Sequence, residues 1–452
     1  MSLSRILNIA SRGLSTYQRA MDLTSHNIAN AGNSSYSRQR ALLGTGRPEY
    51  LNGFEWGTGV TIDRIDRVRN KFVDNEMRIG LQNYSANDKR ASVLSRVEQY
   101  FAEPGTAGLS DSIGKFFSSF SELSVSPNSI PLRNKVISQA QHLASNIQSV
   151  YAGVDAIKKD TFTEFNSTVN EVNTYLQQIQ ELNLQISNQT QTGGTANDLM
   201  DRRDLAIDKL SELVNINVTY DNSNSANISI GGTLAADVVH AVEFKAELKD
   251  GKLQMVSGTD NTAVKLTGGE LSGLSKVYSN DIPAYINKID EIFSTLVDTV
   301  NAQHSTGYNL GDPPINGINF FNGYSNGVLT INQDILDDPA NIAVSSDGTS
   351  GNGDIALAIS EINNQSVLNG NTLIESYSGL ISRLGTDIKT ASDSADSTYL
   401  VLEQLQYERA SISGVSIDEE MTNVIMYQKS YDASAKLVKV ADEMLSTIIN
   451  MV

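Results

Sequence analysis

Apolar residues recur at alternating steps of three and four through both ends of this chain. Toward the C-terminus the series is Val424, Tyr427, Tyr431, Ser434, Val438, Ala441, Leu445, Ile448 and Val452, with Ser434 its only polar member. At the N-terminus Leu3, Leu7, Ala10, Leu14, Tyr17, Met21, Thr24 and Ile28 keep the same rhythm. Such spacing lines one face of a helix with apolar side chains and is that of a coiled-coil seam, so the two ends are expected to pair through these positions. Fixing a terminal residue costs roughly 1–2 kcal/mol. One isolated pair of helices is therefore marginal, and folding of the ends is expected to be coupled to assembly with neighbouring subunits.

Between the ends the pattern changes several times. The first helix runs to about Ala31 and stops at Gly32, Asn33, Ser34 and Ser35, which favour turns. Tyr36, Ser37, Arg38 and Gln39 open an extended segment, and residues 60–65 alternate as a strand does. Helical periodicity resumes near Arg69 and reaches roughly Gln189, with breaks expected at Pro104, Pro127 and Pro131. Its clearest stripe, Phe165, Val169, Val172, Leu176, Ile179, Leu182 and Ile186, suits a bundle interior. A helix over 196–213 follows. Residues 214–278 are rich in Gly, Asn and β-branched side chains, and they alternate with period two over 214–220 and 227–230. Helix returns over 283–304, an irregular stretch covers 305–353, helices fill most of 354–408, and Ser413 and Gly414 set off the last helix.

The fold class expected is multidomain and mainly α, with an inserted all-β domain and a nested, out-and-back chain path. The domains would be 1–62 with 410–452 as the terminal coiled coil and its adjoining extended segment, 63–213 with 279–409 as a helical body with short strands, and 214–278 as the β domain. No internal repeat stands out.

Composition narrows the function. Of 452 residues, 34 are Lys or Arg against 52 Asp or Glu, for a net charge of -18, which excludes nucleic acid as the expected partner. No stretch approaches the roughly 20 apolar residues of a bilayer crossing, so membrane insertion is not expected. The polar start, Met1 to Gly13, lacks the apolar run of a cleaved signal peptide. Cysteine is absent, and His26, His142, His240 and His304 stand in four separate segments without ligand spacing. The 347–354 segment lacks the alternating carboxylates and closing Glu of a calcium loop. Gly193–Gly194 and Gly231–Gly232 read as turns, and no Gly-x-Ser-x-Gly elbow occurs. Among adjacent acids, pairs such as Asp337–Asp338 and Glu419–Glu420 come into question as acid and base, and the second opens a helix, where the dipole alone favours acids. No catalytic, cofactor-binding or metal residue is therefore assigned.

Several blocks carry a resemblance. Residues 23–39, Leu-Thr-Ser-His-Asn-Ile-Ala-Asn-Ala-Gly-Asn-Ser-Ser-Tyr-Ser-Arg-Gln, are similar to the N-terminal signature of the bacterial flagellar axial proteins, with Asn33, Ser34 and Ser35 standing where Thr-Pro-Gly is usual. Residues 413–423, Tyr427–Gln428 and Ala441 through Leu445 are similar to their C-terminal signature. Two internal blocks, 196–213 and 300–308 with Phe320 and Phe321 downstream, resemble the hook-associated protein 1 family in particular. That resemblance implies a structural, non-enzymatic subunit, exported through the flagellum's own channel to the cell exterior. It further implies a ring of identical subunits at the junction between hook and filament, on which the filament is assembled. The partners implied are further copies of itself, the hook protein, the next hook-associated or filament protein, and a cytoplasmic export chaperone on the C-terminal helix. Alternatives are another axial component such as a hook or distal rod protein, or an axial protein with an enzymatic insert. For a peptidoglycan hydrolase, however, the roughly 65 residues of 214–278 offer too little room for a cleft with paired acids.

Overall fold

The computed structural model describes residues 3–51, 53–101, 108–221 and 223–451. In chain order the elements are α1 (Leu3–Ala29), β1 (Gln39–Thr45), β2 (Glu49–Leu51), β3 (Phe54–Trp56), β4 (Val60–Arg67), α2 (Lys71–Phe101), α3 (Leu109–Val125), α4 (Ile130–Gln191) and α5 (Asn197–Leu213). The small strands β5 (Ile216–Tyr220), β6 (Ala226–Ile230), β7 (Thr233–Ala236), β8 (Phe244–Lys249), β9 (Lys252–Ser257) and β10 (Ala263–Val264) follow, and then α6 (Gly269–Lys276) and α7 (Ile282–His304). The chain closes through β11 (Phe321–Ser325), β12 (Val328–Ile331), α8 (Gln333–Asp337), α9 (Asp354–Glu361), α10 (Leu373–Ser413) and α11 (Ile417–Ile449). The chain is thus mainly helical with small sheets mid-chain, as its periodicity predicts.

Pro131 does not interrupt a helix. It occupies the first turn of α4, where a missing N–H leaves no bond unmade. The break expected at Pro104 lies outside the described residues.

Two compact units divide the chain. One comprises Met1–Gln82, Val172–Glu243 and Thr398–Val452; the other comprises Asn83–Glu171 and Phe244–Ser397. These bounds differ from the three domains expected, chiefly because 214–278 is not one β domain. Its strands form two separate three-stranded sheets, β5-β6-β7 and β10-β9-β8, and α6 already begins at Gly269. The first sheet belongs to the first unit and the second to the other. The physical reason is size, since a three-stranded sheet cannot enclose a core and must bury one face on something else. In the first unit Ala226, Ile228 and Ile230 are buried, and Asn183 of α4 both donates to the Ala226 carbonyl at 2.8 Å and accepts from its N–H at 2.9 Å. In the second unit the Leu253 N–H donates to Ser279 Oγ at 2.8 Å and its carbonyl accepts from Ser275 Oγ at 2.6 Å.

The second unit is held by helices around a ring cluster. Phe116 lies 5.4 Å from Phe120 and 5.7 Å from Phe320, while Phe320 meets Phe321 edge-on at 4.8 Å. Helix α6 crosses α2 so closely that a Cβ at Gly273 would stand 2.4 Å from the Ala86 carbonyl oxygen.

Candidate assembly site at the chain ends

Helices α1 and α11 pack against each other and run antiparallel, because Gly13 meets Ser434, Tyr17 stacks on Tyr427 at 6.5 Å, and Asn27 bonds Glu420. Small and polar residues make the closest approach. A Cβ on Gly13 would lie 2.6 Å from Ser434 Oγ, and the buried positions are Ala10, Gly13, Thr16, Ala20, Thr24 and Asn27 on α1 with Glu420, Ser434 and Ala441 on α11. Of the expected seam, Ala10, Thr24, Ser434 and Ala441 are buried. Leu3, Leu7, Leu14, Tyr17, Met21, Ile28, Val424, Tyr427, Tyr431 and Val438 are half-buried. Leu445 and Ile448 are exposed, and Val452 lies outside the described residues. Within one chain the pair is therefore a close contact of small side chains, with the large heptad residues along its margins. Ser434 is no defect in the series, since only a small residue fits opposite Gly13.

The chain turns out of α1 through Asn33, whose Oδ1 accepts from the Ser35 N–H at 3.2 Å and Ser35 Oγ at 2.8 Å, an Asx turn standing where the family signature has Thr-Pro-Gly. The segment beyond it is knotted to both ends. Asn27 Nδ2 donates to the Gln39 carbonyl at 2.8 Å and to Glu420 Oε2 at 3.1 Å. Asn27 Oδ1 accepts from the Gln39 N–H at 3.0 Å and the Tyr36 hydroxyl at 2.7 Å. Arg38 Nε meets Glu420 Oε1 at 2.7 Å, another Arg38 nitrogen meets Glu419 at 2.7 Å, and the Arg38 N–H donates to the Ser413 carbonyl at 2.9 Å. Burial, together with the negative charges of Asp198, Asp201 and Glu420, pushes the Tyr36 hydroxyl well above its ordinary value, so it stays a donor.

Helix α5 closes this knot from beneath. Asp198, Asp201, Asp204 and Asp208 recur at steps of three and four and so share a side of the helix. Asp201 accepts from the Ser37 N–H at 3.0 Å and from Ser37 Oγ at 2.6 Å, and Asp198 accepts from Gln39 Nε2 at 3.0 Å. Arg67 lies 2.7 Å from Asp201 and 3.0 Å from Asp204, and Arg69 lies 3.0 Å from Asp204 and 2.7 Å from Asp74. Asp208 is held by Arg78 at 2.8 Å and Arg409 at 2.7 Å. Burial works to raise the Asp204 carboxyl, but Arg69, Arg67, Arg203 and Arg78 outweigh it and hold it down at about 2. Asp201, Asp204 and Asp208 with their arginines form a buried charge network, costly to break at any one of these acids, while Asp198 at its end is exposed.

Periodicity alone missed this network. Glu419 and Glu420 read as acids at a helix start, and they do sit in the first turn of α11 behind the Ser416 N-cap, yet Glu420 is also the buried anchor for Arg38 and Asn27. The available signal was the acidic repeat down α5, on a side that a surface helix would give to apolar residues. Among the described residues no group of three or more His, Cys, Asp or Glu could hold a metal ion, and no helix is long and apolar enough to cross a membrane.

Comparison with known proteins decides the family. The family model described as the flagellar hook-associated protein FlgK helical domain matches residues 94–321, about half the chain. The chain belongs to the FlgK family of flagellar hook-associated proteins. A second model, the C-terminal region of the flagellar basal body rod FlgEFG proteins, matches 408–451. Flagellar hook-associated protein 1 of Bacillus subtilis is 29% identical over 98% of this chain and 97% of its own length. Its counterpart in Salmonella typhimurium is 24% identical over 99% of this chain and 100% of its own. The solved structure of the flagellar hook junction protein FlgK from Burkholderia pseudomallei is similar in fold, with a TM-score of 0.65 over 75% of this chain and all of that one, at 15% identity. The 214–278 segment, which carried no resemblance by motif, falls inside the FlgK match.

Proposed function

We propose that this chain is a structural, non-enzymatic axial subunit of the bacterial flagellum, built as a ring of identical copies into the junction between hook and filament. The observation that carries this reading is the convergence of both terminal signature segments on one polar knot beside paired helices, with large apolar side chains of α11 left uncovered. A chain that folds its two ends together and leaves an apolar margin is made to be completed by neighbours. The relatives named above support the place of that assembly. Hook protein below and the next hook-associated or filament protein above are the partners this position implies. Export proceeds through the flagellar channel, and α11, amphipathic and exposed, is the segment a cytoplasmic chaperone would hold before export.

Deleting the gene should leave cells with hooks and shed, unpolymerised filament protein, and the wild-type chain should restore filaments. Ala441→Asp should not restore them, because it places a charge in the closely packed seam. Lys439→Asp, on the solvated side of the same helix, should restore them. Normal filaments in the deletion strain, or equal failure of both variants, would overturn the reading.

A further inference from the structure

Two apolar surfaces of the first unit lie largely uncovered among the described residues, and they differ in kind. The first is the β2–β3 hairpin, where Leu51, Phe54 and Trp56 share one face by register and Tyr50 stands on the other. Phe54 is 68% exposed and Tyr50 77%, and Arg5 covers only Trp56, its guanidinium 4.8 Å from the ring centre. The second is a stripe on α11. Met426, Leu437, Val440, Met444, Ile448 and Met451 are all exposed, and at 100° per residue they fall on one side of the helix, roughly a quarter-turn from the Glu420, Ser434 and Ala441 side that meets α1. Helix α1 is covered along two faces. It packs on α11 and also on β1 and β4, with Thr16 Oγ1 donating to the Val60 carbonyl at 3.1 Å and Ile9 against Gly59. Among the described residues no such second layer covers α11.

We infer that the β2–β3 hairpin of one subunit docks on the Met426–Met451 stripe of α11 in a second copy of this chain, an inference that rests on the proposed assembly of identical copies. Charge selects this pairing. Glu49 lies on the Leu51, Phe54 and Trp56 face, so two hairpins meeting through that face would set acid against acid. The stripe is bordered by Lys429 and Lys436 on its outer edge, so hairpin and stripe are complementary in sign. Side-chain chemistry agrees, because thioethers at 426, 444 and 451 pack favourably around the aromatic rings at 54 and 56. Joining unlike patches on identical subunits is a head-to-tail contact, which closes rings or propagates helices, whereas stripe against stripe would stop at a dimer.

The chain has no cysteine, so introduced pairs can be read without background. Full-length Phe54→Cys/Met444→Cys and Phe54→Cys/Leu437→Cys would be oxidised in isolated flagella and, separately, in concentrated purified protein. Phe54→Cys/Asp432→Cys, away from the stripe, is the control. All these positions are exposed, so folding is preserved. The inference predicts a ladder of covalent multimers from at least one stripe pair, with single variants and the control remaining monomeric. Monomers from both stripe pairs in flagella that contain the chain and in concentrated protein would overturn it, as would a ladder of equal yield in the control. Dimers from Met444→Cys alone would overturn it in favour of stripe-on-stripe contact. A stripe-pair ladder in purified protein, with the chain absent from flagella, would sustain the docking and sink the junction reading.

Discussion

Asn27 spends its whole amide on holding the chain ends together, with two donors and one acceptor atom engaged by Gln39, Glu420 and Tyr36. Asn27→Leu keeps the volume and strands those partners, so the first unit should lose on the order of 3 kcal/mol, read as a lower denaturant midpoint. The fluorescence of Trp56, the chain's one tryptophan, is a suitable probe for that unit. In the second unit His304 is the sensitive residue. Its Nδ1 lies 2.7 Å from the Ile318 carbonyl and its Nε2 accepts from the Ala343 N–H at 2.9 Å. Only the neutral ring with its proton on Nδ1 satisfies both, since a proton on Nε2 would face another donor. Burial lowers its pKa from 6.5 to about 4, the bond to Ile318 resists, and the charge of Arg133 adds to the lowering. The folded pKa lies below the unfolded one, so this contribution is complete above 6.5 and is lost as pH falls toward 4, amounting to about 3 kcal/mol. His304→Gln should flatten that part of the stability profile of the second unit, measured by hydrogen exchange. An unchanged slope would contradict the account. Neither role was legible in the sequence, where His304 is one scattered histidine and Asn27 one polar residue in a helix. Both depend on what three-dimensional packing brings opposite them.

At the scale of the element, the terminal heptads were legible as helices that pair, and the large residues of the heptads were the natural candidates for the seam. The antiparallel pair closes on the small members of that series, Ala10, Ser434 and Ala441, with Gly13 and Ala20 from outside it, because small side chains let two backbones approach and a spacing pattern weights size over fit. Gly13→Leu should therefore push α1 from α11 more than any loss of a marginal Leu would. Limited proteolysis should cut 417–449 much faster in that variant, while Gly13→Ala, which needs only a shift of Ser434 Oγ, should change the rate little. The β segment shows the converse limit. Period-two alternation over 214–220 and 227–230 located strands well, but alternation marks a buried face without saying what covers it, and two neighbouring sheets went to different helical partners.

For the whole molecule, the nested chain path that brings both termini together was readable from the order of helical, strand-rich and helical segments. The division into two units was not, because α2, α4 and α10 each run from one unit into the other and leave no break in periodicity at the boundary. This changes what the mid-chain segment can tolerate. Were 214–278 a separate insert, excising 217–275 with a Gly/Ser linker would spare the rest. Excision would strand Asn183 and Arg203, which bond Ala226 and Asn224, so the deleted chain should unfold at clearly lower denaturant than wild type. The central claim is that the chain occupies one level of the flagellum. Gold labelling of a small epitope tag in the 347–354 turn, imaged on isolated intact flagella, tests it most directly. The account predicts label confined to a single band between hook and filament; label along the hook, along the rod or nowhere on the flagellum would contradict it.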